Sequence, residues 1–483
     1  MNSFYPADFN AGLVLLLPEI FLGTAACLIL MLDLFVSQAR RSVISTLSIV
    51  TVLVSAGLVL IQPWSTHTLA LSDMFVLDPL AQVLKVVTLI IVAVGFIYSG
   101  EYLRHRSIFK GEYYVLGLFA TLGILVLASA ANLITVYLGL ELLSLSLYAM
   151  VAFDRESGIA AESAIKYFVL SALSSGTLLY GMSIVYGVTG SLDLGQIAHV
   201  MQAGAAGNIG LLFGLSFIIV GVGFKFGAVP FHMWIPDVYQ GAPTSVTLYI
   251  GSTSMVGSLA LIMRLLADGL GSAQHDWSQM LTVLAVLSMV IGNLVAIMQT
   301  NLKRMLAYST ISHVGFLLMG ILSGMAGGYR AALFYTIAYV IMTSGAFGMI
   351  LLLSRQGFEA DRIEDFKGLN TRSPWFASMM AMLMFSMAGV PPFVGFWAKL
   401  GVIQAVLGVD LLWVAIVAVL FSVVGAYYYL RMIKTMYFDE PLDTTPIGGS
   451  GLVRAVLSVN SLAVLALGVA PAALLTLCER VFG

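Results

Sequence analysis

Charged residues are scarce in this sequence, and their scarcity is the first constraint on its class. Only 10% of the 483 residues are charged, whereas soluble domains carry about 25%. Hydrophobic residues make up 60% of the chain, and the mean hydropathy is +1.00. The sequence therefore predicts an integral membrane protein surrounded by a lipid bilayer. The net charge of −2 is too small to indicate nucleic acid or an acidic substrate as a partner.

Cysteine is nearly absent as well. Cys27 and Cys478 lie near opposite ends of the chain, and the sequence has no CxxC motif, so neither an iron–sulfur cluster nor a zinc site can be built from them. We interpret both as packing residues. A Walker motif, a haem-ligand pattern and a flavin fold are also missing. GVGFKFG at 221–227 has the spacing GxGxxxG inside a predicted membrane helix, so it does not indicate a nucleotide site. We expect a chain that moves charge but has no cofactor, metal or redox centre of its own.

Long apolar runs fill the remaining sequence. The first ten residues, MNSFYPADFN, contain no basic region, which favours a retained first helix over a cleaved signal peptide. Hydropathy predicts fourteen membrane-spanning helices, and the seventh and twelfth continue past prolines to about 240 and 408. The predicted spans are 11–36, 43–62, 79–99, 113–130, 132–153, 163–187, 208–229, 243–267, 278–299, 303–323, 330–353, 373–390, 411–437 and 452–477.

The distribution of lysine and arginine predicts the orientation of these spans. Fifteen of them, including Lys303 and Arg304, fall in loops that follow odd-numbered spans. Loops after even-numbered spans and the termini hold only Arg264, Arg330 and Arg480. Because positive residues favour the cytoplasmic side, we expect the first group in the cytoplasm and both termini outside.

A faint internal repeat accompanies this pattern. Asn132-Leu133 opens the fifth span and Asn301-Leu302 precedes the tenth, while Ser175-Gly176 recurs as Ser344-Gly345 at the same offset of 169. The proline break at Val229-Pro230 recurs as Val390-Pro391. A repeat displaced by five spans must cross the membrane in the opposite sense. This is the inverted arrangement of transporters, in which paired broken helices mark the transport path.

Lys225 is the most informative charged residue inside a span. It lies five residues before Pro230, which lacks an N–H group and clashes with the carbonyl of Phe226, so the helix is expected to break there. Freed carbonyls at the end of the first half-helix favour an ammonium group. We therefore expect Lys225 to face internal water and to load and release a proton. The alternative is a lysine that snorkels to the membrane surface.

Other charged residues in the spans support the same interpretation. Lys399 follows the second proline break, and Glu141 has no charged residue within ten positions on either side. Lys166, early in the next span, is the expected partner of Glu141, either as a switchable pair or as a static one. Snorkelling accounts better for Lys85, which is predicted near the outer surface.

Two histidines are weaker candidates. His232 adjoins the first break and His313 lies in the polar stretch YSTISHVG. A lone histidine in a helix is usually a satisfied core residue, but both could relay protons because histidine titrates near neutral pH.

Five stretches together resemble the antiporter-like membrane subunits of respiratory complex I, the NADH-quinone oxidoreductase. They are LGLELLSL around Glu141, AIKYFVLSALSS around Lys166, VGFKFGAVPFHMWIPDVYQGAPT around Lys225, QTNLKRMLAYSTISHVG, and GVPPFVGFWAKL around Lys399. The likeness runs over essentially the whole chain.

The resemblance implies a fourteen-helix proton-translocating subunit in the bacterial inner membrane, driven by quinone reduction elsewhere in the complex. Proton transfer would involve Glu141, Lys166, Lys225 and Lys399. NADH, FMN, iron–sulfur clusters and quinone would belong to partner subunits, and other membrane-arm subunits would be its neighbours. The expected division is 1–112 for helices 1–3, 113–267 for the first five-helix repeat, 268–437 for the second, and 438–483 for helix 14.

One departure from the family affects the expected relay. Relatives commonly carry a lysine or histidine in the middle of the eighth helix, where this sequence places Met255. Methionine cannot hold a proton, so any link through this helix is expected to use water and hydroxyls such as those of Ser252, Thr253 or Ser254.

Two other functions stay open from the sequence. A subunit of a multi-subunit Na⁺/H⁺ antiporter would share the fold and the motifs. A structural membrane scaffold with frozen ion pairs is the third possibility, and the buried lysines and paired breaks argue against it.

Overall fold

The described structure is built almost entirely of helices. The computed structural model describes residues 12–64, 67–204 and 208–482, so the start of the first predicted span lies outside it. The helices are α1 Leu17–Asp33, α2 Ser42–Ile61, α3 Pro79–His105, α4 Gly111–Ala128, α5 Leu133–Val151, α6 Gly158–Thr189, α7 Leu194–Gln202, α8 Ile209–Phe226, α9 Trp234–Gly241, α10 Thr244–Ile262, α11 Gln274–Ile297, α12 Leu302–Leu322, α13 Ala326–Leu353, α14 Leu369–Arg372, α15 Pro374–Ala388, α16 Val394–Leu407, α17 Leu412–Phe438, α18 Gly451–Val469 and α19 Ala472–Phe482.

The length and composition of these helices confirm an all-α membrane protein. In the described ranges, 12 helices are long and apolar enough to cross a membrane. Within the first predicted span, helix α1 has 17 residues, and the twelfth span is divided into the shorter helices α15 and α16. The count of fourteen therefore stays a prediction, whereas the breaks in the seventh and twelfth spans are present.

Two local features differ from the prediction. An antiparallel hairpin pairs β1, Thr68–Ala70, with β2, Phe75–Leu77; it lies between two spans, where hydropathy gives no signal for so short a pair. The last predicted span, 452–477, ends at Val469, and Pro471 precedes the separate helix α19. The reason is that proline cannot donate the hydrogen bond needed to continue a helix.

The internal repeat is visible in the backbone. Asn132 caps the start of α5 by accepting a hydrogen bond from Ile134 N at 2.9 Å, and Asn301 caps α12 by accepting one from Arg304 N at 3.0 Å. Asn132 also forms a β-bridge with Asp193, and Asn301 forms the equivalent bridge with Arg362. Asn132 and Asn301 are 169 residues apart, and so are their partners Asp193 and Arg362, which is the offset seen in the sequence.

The two copies run in opposite senses. Helix α5 starts at Asn132, and the loop at its far end contains Asp154, which lines the same cavity as Lys303. Asn301 lies two residues from Lys303 and is therefore near the far end of α5. The cap at Asn132 lies at the other end of that helix, about 28 Å away at 1.5 Å per residue. We call the end with Asp154, Lys303 and Arg304 the basic end. The inverted repeat is thus present.

Arg264 corrects another expectation. The sequence groups it with the loops after even-numbered spans, but it is 3% exposed and lies in a π-helical continuation of α10, Met263–Gly269. Its guanidinium donates to both carboxylate oxygens of Asp78 at 2.7 and 2.8 Å, and it also bonds to Asp268 and to Ala128 O. The bidentate hydrogen bonds to the Asp78 carboxylate offset the free-energy cost of burying the Arg264 guanidinium.

Lys85 does not snorkel. It is fully buried and forms an ion pair with Glu19 at 2.5 Å, and its ammonium lies 4.7 Å from the centre of the Phe75 ring. Sequence reasoning overlooked Glu19 because the pair joins α1 to α3, far apart in the chain. A paired lysine can be buried at a depth where an unpaired one would have to reach water.

Breaking this pair should destabilise the protein. In Lys85→Met, the carboxylate of Glu19 stays buried without its cation, which typically costs about 3–5 kcal/mol. We expect a clearly lower thermal-unfolding midpoint of the purified protein. The double variant Glu19→Leu/Lys85→Met should recover most of the loss because it leaves no buried charge. Equal midpoints for Lys85→Met and the unmodified protein would show that the pair contributes nothing.

Candidate functional site

The first helix break separates α8 from α9. Gly227 caps α8 in the left-handed conformation, with φ of 68°, which glycine adopts without the steric cost of a side chain. Its N–H donates to Phe224 O at 2.9 Å, and that of Ala228 donates to Gly223 O at 2.8 Å. Beyond the cap, Val229 N donates to Ser288 Oγ at 2.9 Å, and Trp234 Nε1 donates to Phe224 O at 3.0 Å. Protein groups therefore satisfy the backbone groups that the break frees.

The second break, between α15 and α16, repeats this design. Gly389 caps α15 with φ of 88°, and its N–H donates to Phe385 O at 3.1 Å. In α16, Gly395 N donates to Ser386 Oγ at 3.0 Å. Gly468 lets α18 approach closely, because a Cβ there would collide with Pro392 O.

The glycine caps correct the predicted alignment of the breaks by one residue. Gly389 takes the place of Gly227, so Pro392, rather than Pro391, corresponds to Pro230. Lys399 lies seven residues after Pro392, and Asp237 lies seven residues after Pro230. Asp237 therefore occupies in the first repeat the place that Lys399 occupies in the second.

Lys225 is held by hydroxyl groups. Its Nζ donates to Ser144 Oγ of α5 at 3.0 Å and to Ser171 Oγ of α6 at 2.9 Å. Among the residues that the structure describes, the Nζ of Lys225 does not bind the freed carbonyls that the sequence predicts as its partners. The carbonyls of Phe224 and Gly223 already accept hydrogen bonds from Gly227, Ala228 and Trp234. Lys225 thus faces neighbouring helices instead of the break.

Glu141 shares helix α5 with Ser144, one of the two serines that bind Lys225. It lies one helical turn before Ser144 on α5 and is close enough to Lys225 for a Coulomb interaction. Its Oε1 is shielded from solvent and has no hydrogen-bond partner in the described part of the chain. A carboxylate oxygen in that state is free to attract a nearby cation or to take up a proton.

The predicted pair of Glu141 with Lys166 is wrong. Lys166 Nζ lies 2.9 Å from Glu162 Oε1 and 3.0 Å from Asp237 Oδ2, and its side chain is 45% exposed. The physical reason is that Lys166 lies one turn after Glu162 and faces α9, which brings Asp237 within reach. The other oxygen of Asp237 binds Arg304 at 2.8 Å, so this aspartate joins helices of the two repeats. Sequence reasoning missed it, although IPDVY places it right after the break.

Lys399 shows the carbonyl contact that had been expected at Lys225. Its Nζ donates to Ala388 O, at the end of the first half-helix, at 2.8 Å, and to Ser422 Oγ of α17 at 2.9 Å. The side chain is 8% exposed, and its ammonium lies 5.0 Å from the centre of the Phe316 ring. The negative end of a half-helix and the face of an aromatic ring both favour a cation.

His313 lies inside a cluster of hydroxyl groups. Its Nδ1 is 2.6 Å from Tyr335 Oη and its Nε2 is 3.0 Å from Tyr429 Oη, which is 2.5 Å from Ser309 Oγ. Because a hydroxyl can donate or accept, the cluster can satisfy the neutral imidazole and the imidazolium alike. The partner tyrosines come from α13 and α17, so only the polar stretch around His313 signalled this cluster in the sequence.

The remaining candidates are less well connected. His232 lies in the first break, and its Nδ1 is shielded without a hydrogen-bond partner among the described residues. Met255 in α10 is 5% exposed. Of the nearby hydroxyls, those of Ser252 and Ser254 donate to carbonyls of their own helix, whereas Thr253 Oγ1 is buried with no partner in the described ranges.

Within residues 12–64, 67–204 and 208–482, no group of three or more histidine, cysteine, aspartate or glutamate side chains could hold a metal ion. What the site offers is a set of buried amines, a carboxylate and hydroxyls, which can hold and pass protons.

The sequence matches a family model and a close relative. Residues 130–425 match the transmembrane family of NADH:quinone oxidoreductase and Mrp antiporter subunits. Subunit N of NADH-quinone oxidoreductase from Thioalkalivibrio sulfidiphilus is 58% identical over 95% of this chain and 96% of its own length. The chain belongs to the subunit N family of NADH-quinone oxidoreductases.

Solved structures agree with this assignment. A chain of respiratory complex I from Thermus thermophilus with bound aureothin matches with a TM-score of 0.82 and 29% identity, covering 95% of this chain and 98% of that chain. A chain of the Mrp complex from Dietzia sp. DQ12-45-1b matches with a TM-score of 0.78 and 20% identity, covering 99% and 97%. At 20% identity the second likeness shows the fold alone, so the subunit N family is favoured over the antiporter alternative.

Replacing Gly389 should disturb the Lys399 site. In Gly389→Ala, the left-handed backbone costs ~1–2 kcal/mol, and the new Cβ would lie 2.8 Å from Lys399 Cδ. We expect displacement of the lysine from Ala388 O, a lower thermal midpoint and slower proton pumping by the reconstituted complex. Gly57→Ala, where a Cβ meets nothing within 4 Å, is the matched control. Equal behaviour of the two variants would contradict this account of the cap.

Proposed function

We propose that this protein translocates protons as a membrane-arm subunit of NADH-quinone oxidoreductase. The observation that carries the proposal is the placement of a lysine beside each break of an inverted repeat, one held by Ser144 and Ser171 and the other by Ala388 O and Ser422. Family membership supports the same function. The relative's name adds that the complex oxidises NADH and reduces a quinone.

The mechanism we propose uses Glu141 and Lys225 as its first electrostatic switch. With Glu141 ionised, its negative charge holds Lys225 as an ammonium bonded to the two serine hydroxyls. A change of charge in a neighbouring subunit that neutralises or draws away Glu141 removes this support. Lys225 Nζ then releases its proton to a hydroxyl or water, and the neutral amine stays bonded to serine.

The second repeat is proposed to receive the proton and release it. His313 takes the proton on one ring nitrogen while Tyr335 and Tyr429 reorient, and Lys399 accepts it beside Ala388 O. Across α10, where Met255 holds no proton, we propose a water-assisted link at Thr253. Lys166, held by Glu162 and Asp237, is assigned a supporting role at the junction of the repeats, and His232 stays a weaker candidate.

The surroundings of the protein follow from this function. We propose that it lies in the bacterial inner membrane, with its basic end in the cytoplasm and both termini outside. Its neighbours are other membrane-arm subunits and lipid. NADH, FMN, iron–sulfur clusters and quinone belong to partner subunits. We further propose the division 1–112, 113–267, 268–437 and 438–483, which the equivalent helix caps at Asn132 and Asn301 support.

Neutralising the first switch should uncouple the complex. We expect Lys225→Ala and Glu141→Ala to assemble but to pump protons much more slowly, because each removes a charged group that the relay needs. Proton uptake into proteoliposomes, measured beside NADH oxidation, checks this. Lys434→Ala, a lysine that is 65% exposed, is the control. Normal pumping by the assembled Lys225 and Glu141 variants would refute the relay and favour a scaffold with frozen ion pairs.

A mass-spectrometric list of co-purified partners should decide between the oxidoreductase and a Na⁺/H⁺ antiporter. We expect flavin- and iron–sulfur-bearing subunits in the purified complex. A complex containing only antiporter-type membrane subunits, together with sodium-dependent pumping, would support the alternative.

A further inference from the structure

A cavity large enough for water opens at the basic end, outside the sites of Lys225 and Lys399. Its volume is about 160 Å³, enough for several water molecules, whose share of liquid volume is about 30 Å³ each. Charged and polar side chains line it, namely Tyr102, Arg106, Asp154, Lys303, Glu359 and Asp361. These residues come from both repeats and from α3, so the cavity lies where three parts of the fold meet.

Lys303 is the buried charge of this cavity. The sequence predicts it in a cytoplasmic loop, but it lies in the first turn of α12 and is 3% exposed. Its Nζ donates to Ala242 O, just after α9, at 2.7 Å. Within the described residues, this Nζ has no carboxylate within ion-pair distance, and an ammonium buried in that way is costly. A buried lysine in such surroundings points to a use beyond packing.

Glu359 is one of three acidic residues that line the cavity, and it is in contact with solvent. Its side chain is 17% exposed, and Arg106 Nε lies 3.4 Å from Oε2. Tyr102 Oη donates to its two oxygens at 2.9 and 3.0 Å, and the Thr244 hydroxyl also donates to it. Thr244 is the first residue of α10, so the carboxylate sits at the positive end of that helix.

A line of polar groups leads from the cavity toward the second lysine site. One face of α12 carries Lys303, Thr310 and His313. Thr310 follows Lys303 by seven residues and His313 follows Thr310 by three, spacings that place side chains on the same side of a helix. Tyr339 Oη donates to Thr310 Oγ1 at 2.7 Å. The distance from Lys303 to His313 along the helix is about 15 Å, a span that a few waters and hydroxyls can bridge.

We propose that this cavity is a proton-uptake site of the second repeat, with Glu359 as the collecting carboxylate and Lys303 as the first buried acceptor. A proton from bulk water binds a carboxylate oxygen of Glu359. It passes through cavity water to the neutral amine of Lys303, which becomes an ammonium, and the carboxylate is restored. Lys303 then gives the proton to water along α12. This inference rests on the proposed proton translocation and adds the point at which protons arrive.

The decisive variant is Lys303→Arg in the whole complex. Arginine keeps a positive charge and donors for Ala242 O, but it cannot release a proton. We expect normal assembly and proton pumping slowed by at least about tenfold, since a positioned proton-transfer group typically contributes roughly 10²–10⁴-fold. Lys303→His, which can load and release a proton, should recover part of the rate. Unchanged pumping by Lys303→Arg would overturn the proposal and leave Lys303 a structural tether.

Glu359→Gln tests the collecting carboxylate separately. The amide retains an acceptor for Tyr102 and Thr244 but lacks the negative charge, so we expect slower pumping from an assembled complex. Lys434→Arg is the control at an exposed lysine. If Lys225→Ala stops pumping while Lys303→Arg and Glu359→Gln pump normally, the uptake site is wrong and the proposed function stands. If Lys225→Ala also pumps normally, the proposed function itself fails.

Water access gives a second, independent measurement. Asp154→Cys, in a background with Cys27→Ser and Cys478→Ala, places a thiol in the cavity wall. We expect a membrane-impermeant maleimide to label it from the basic end only and to slow pumping by filling the cavity. Absence of labelling, or labelling without an effect on pumping, would contradict uptake through this cavity.

Discussion

The requirement that buried backbone groups be bonded governs the two broken helices, and the functional geometry depends on it. No water in a bilayer can satisfy a freed N–H or C=O group, so a break at membrane depth is possible only inside protein. Here neighbouring side chains supply the bonds: Ser288 and Trp234 at the first break, and Ser386 and Lys399 at the second. At the second break, the group that satisfies the free carbonyl is itself a proposed proton carrier. Loss of its proton would leave the carbonyl with a weaker partner, which couples the charge of Lys399 to the local backbone.

Hydroxyl groups are the other recurrent partners of the buried charges. Lys225 binds two serines, Lys399 binds one, and His313 lies between two tyrosines. A carboxylate partner would fix each lysine in its charged state, whereas a hydroxyl accepts a bond from the ammonium and donates one to the neutral amine. The fixed ion pairs lie elsewhere, at Lys85 with Glu19 and at Arg264 with Asp78. In the proposed mechanism, the chain thus separates charges that hold helices together from charges that change.

The sequence was sufficient for the features that depend on local chemistry. The apolar runs, the proline breaks and the repeat of Asn132-Leu133 as Asn301-Leu302 each follow from residue type and spacing. The partners of the charges did not follow, because they depend on which helix faces which. Lys166 binds Asp237 instead of Glu141 since α9 folds back beside α6, and Lys85 pairs with Glu19, which lies 66 residues earlier in the chain. Hydropathy registers the presence of a buried charge, but it carries no information on the direction in which the side chain points.

The two repeats are complementary rather than equivalent. With Gly227 aligned to Gly389, the residue two positions before the cap is Lys225 in the first repeat and Met387 in the second. Seven residues after the aligned prolines, the first repeat has Asp237 and the second has Lys399. Each repeat therefore carries one lysine at its break, but on opposite half-helices. The proposed proton path therefore passes different groups in the two halves, and the ion pairs of Asp237 with Lys166 and Arg304 join these halves.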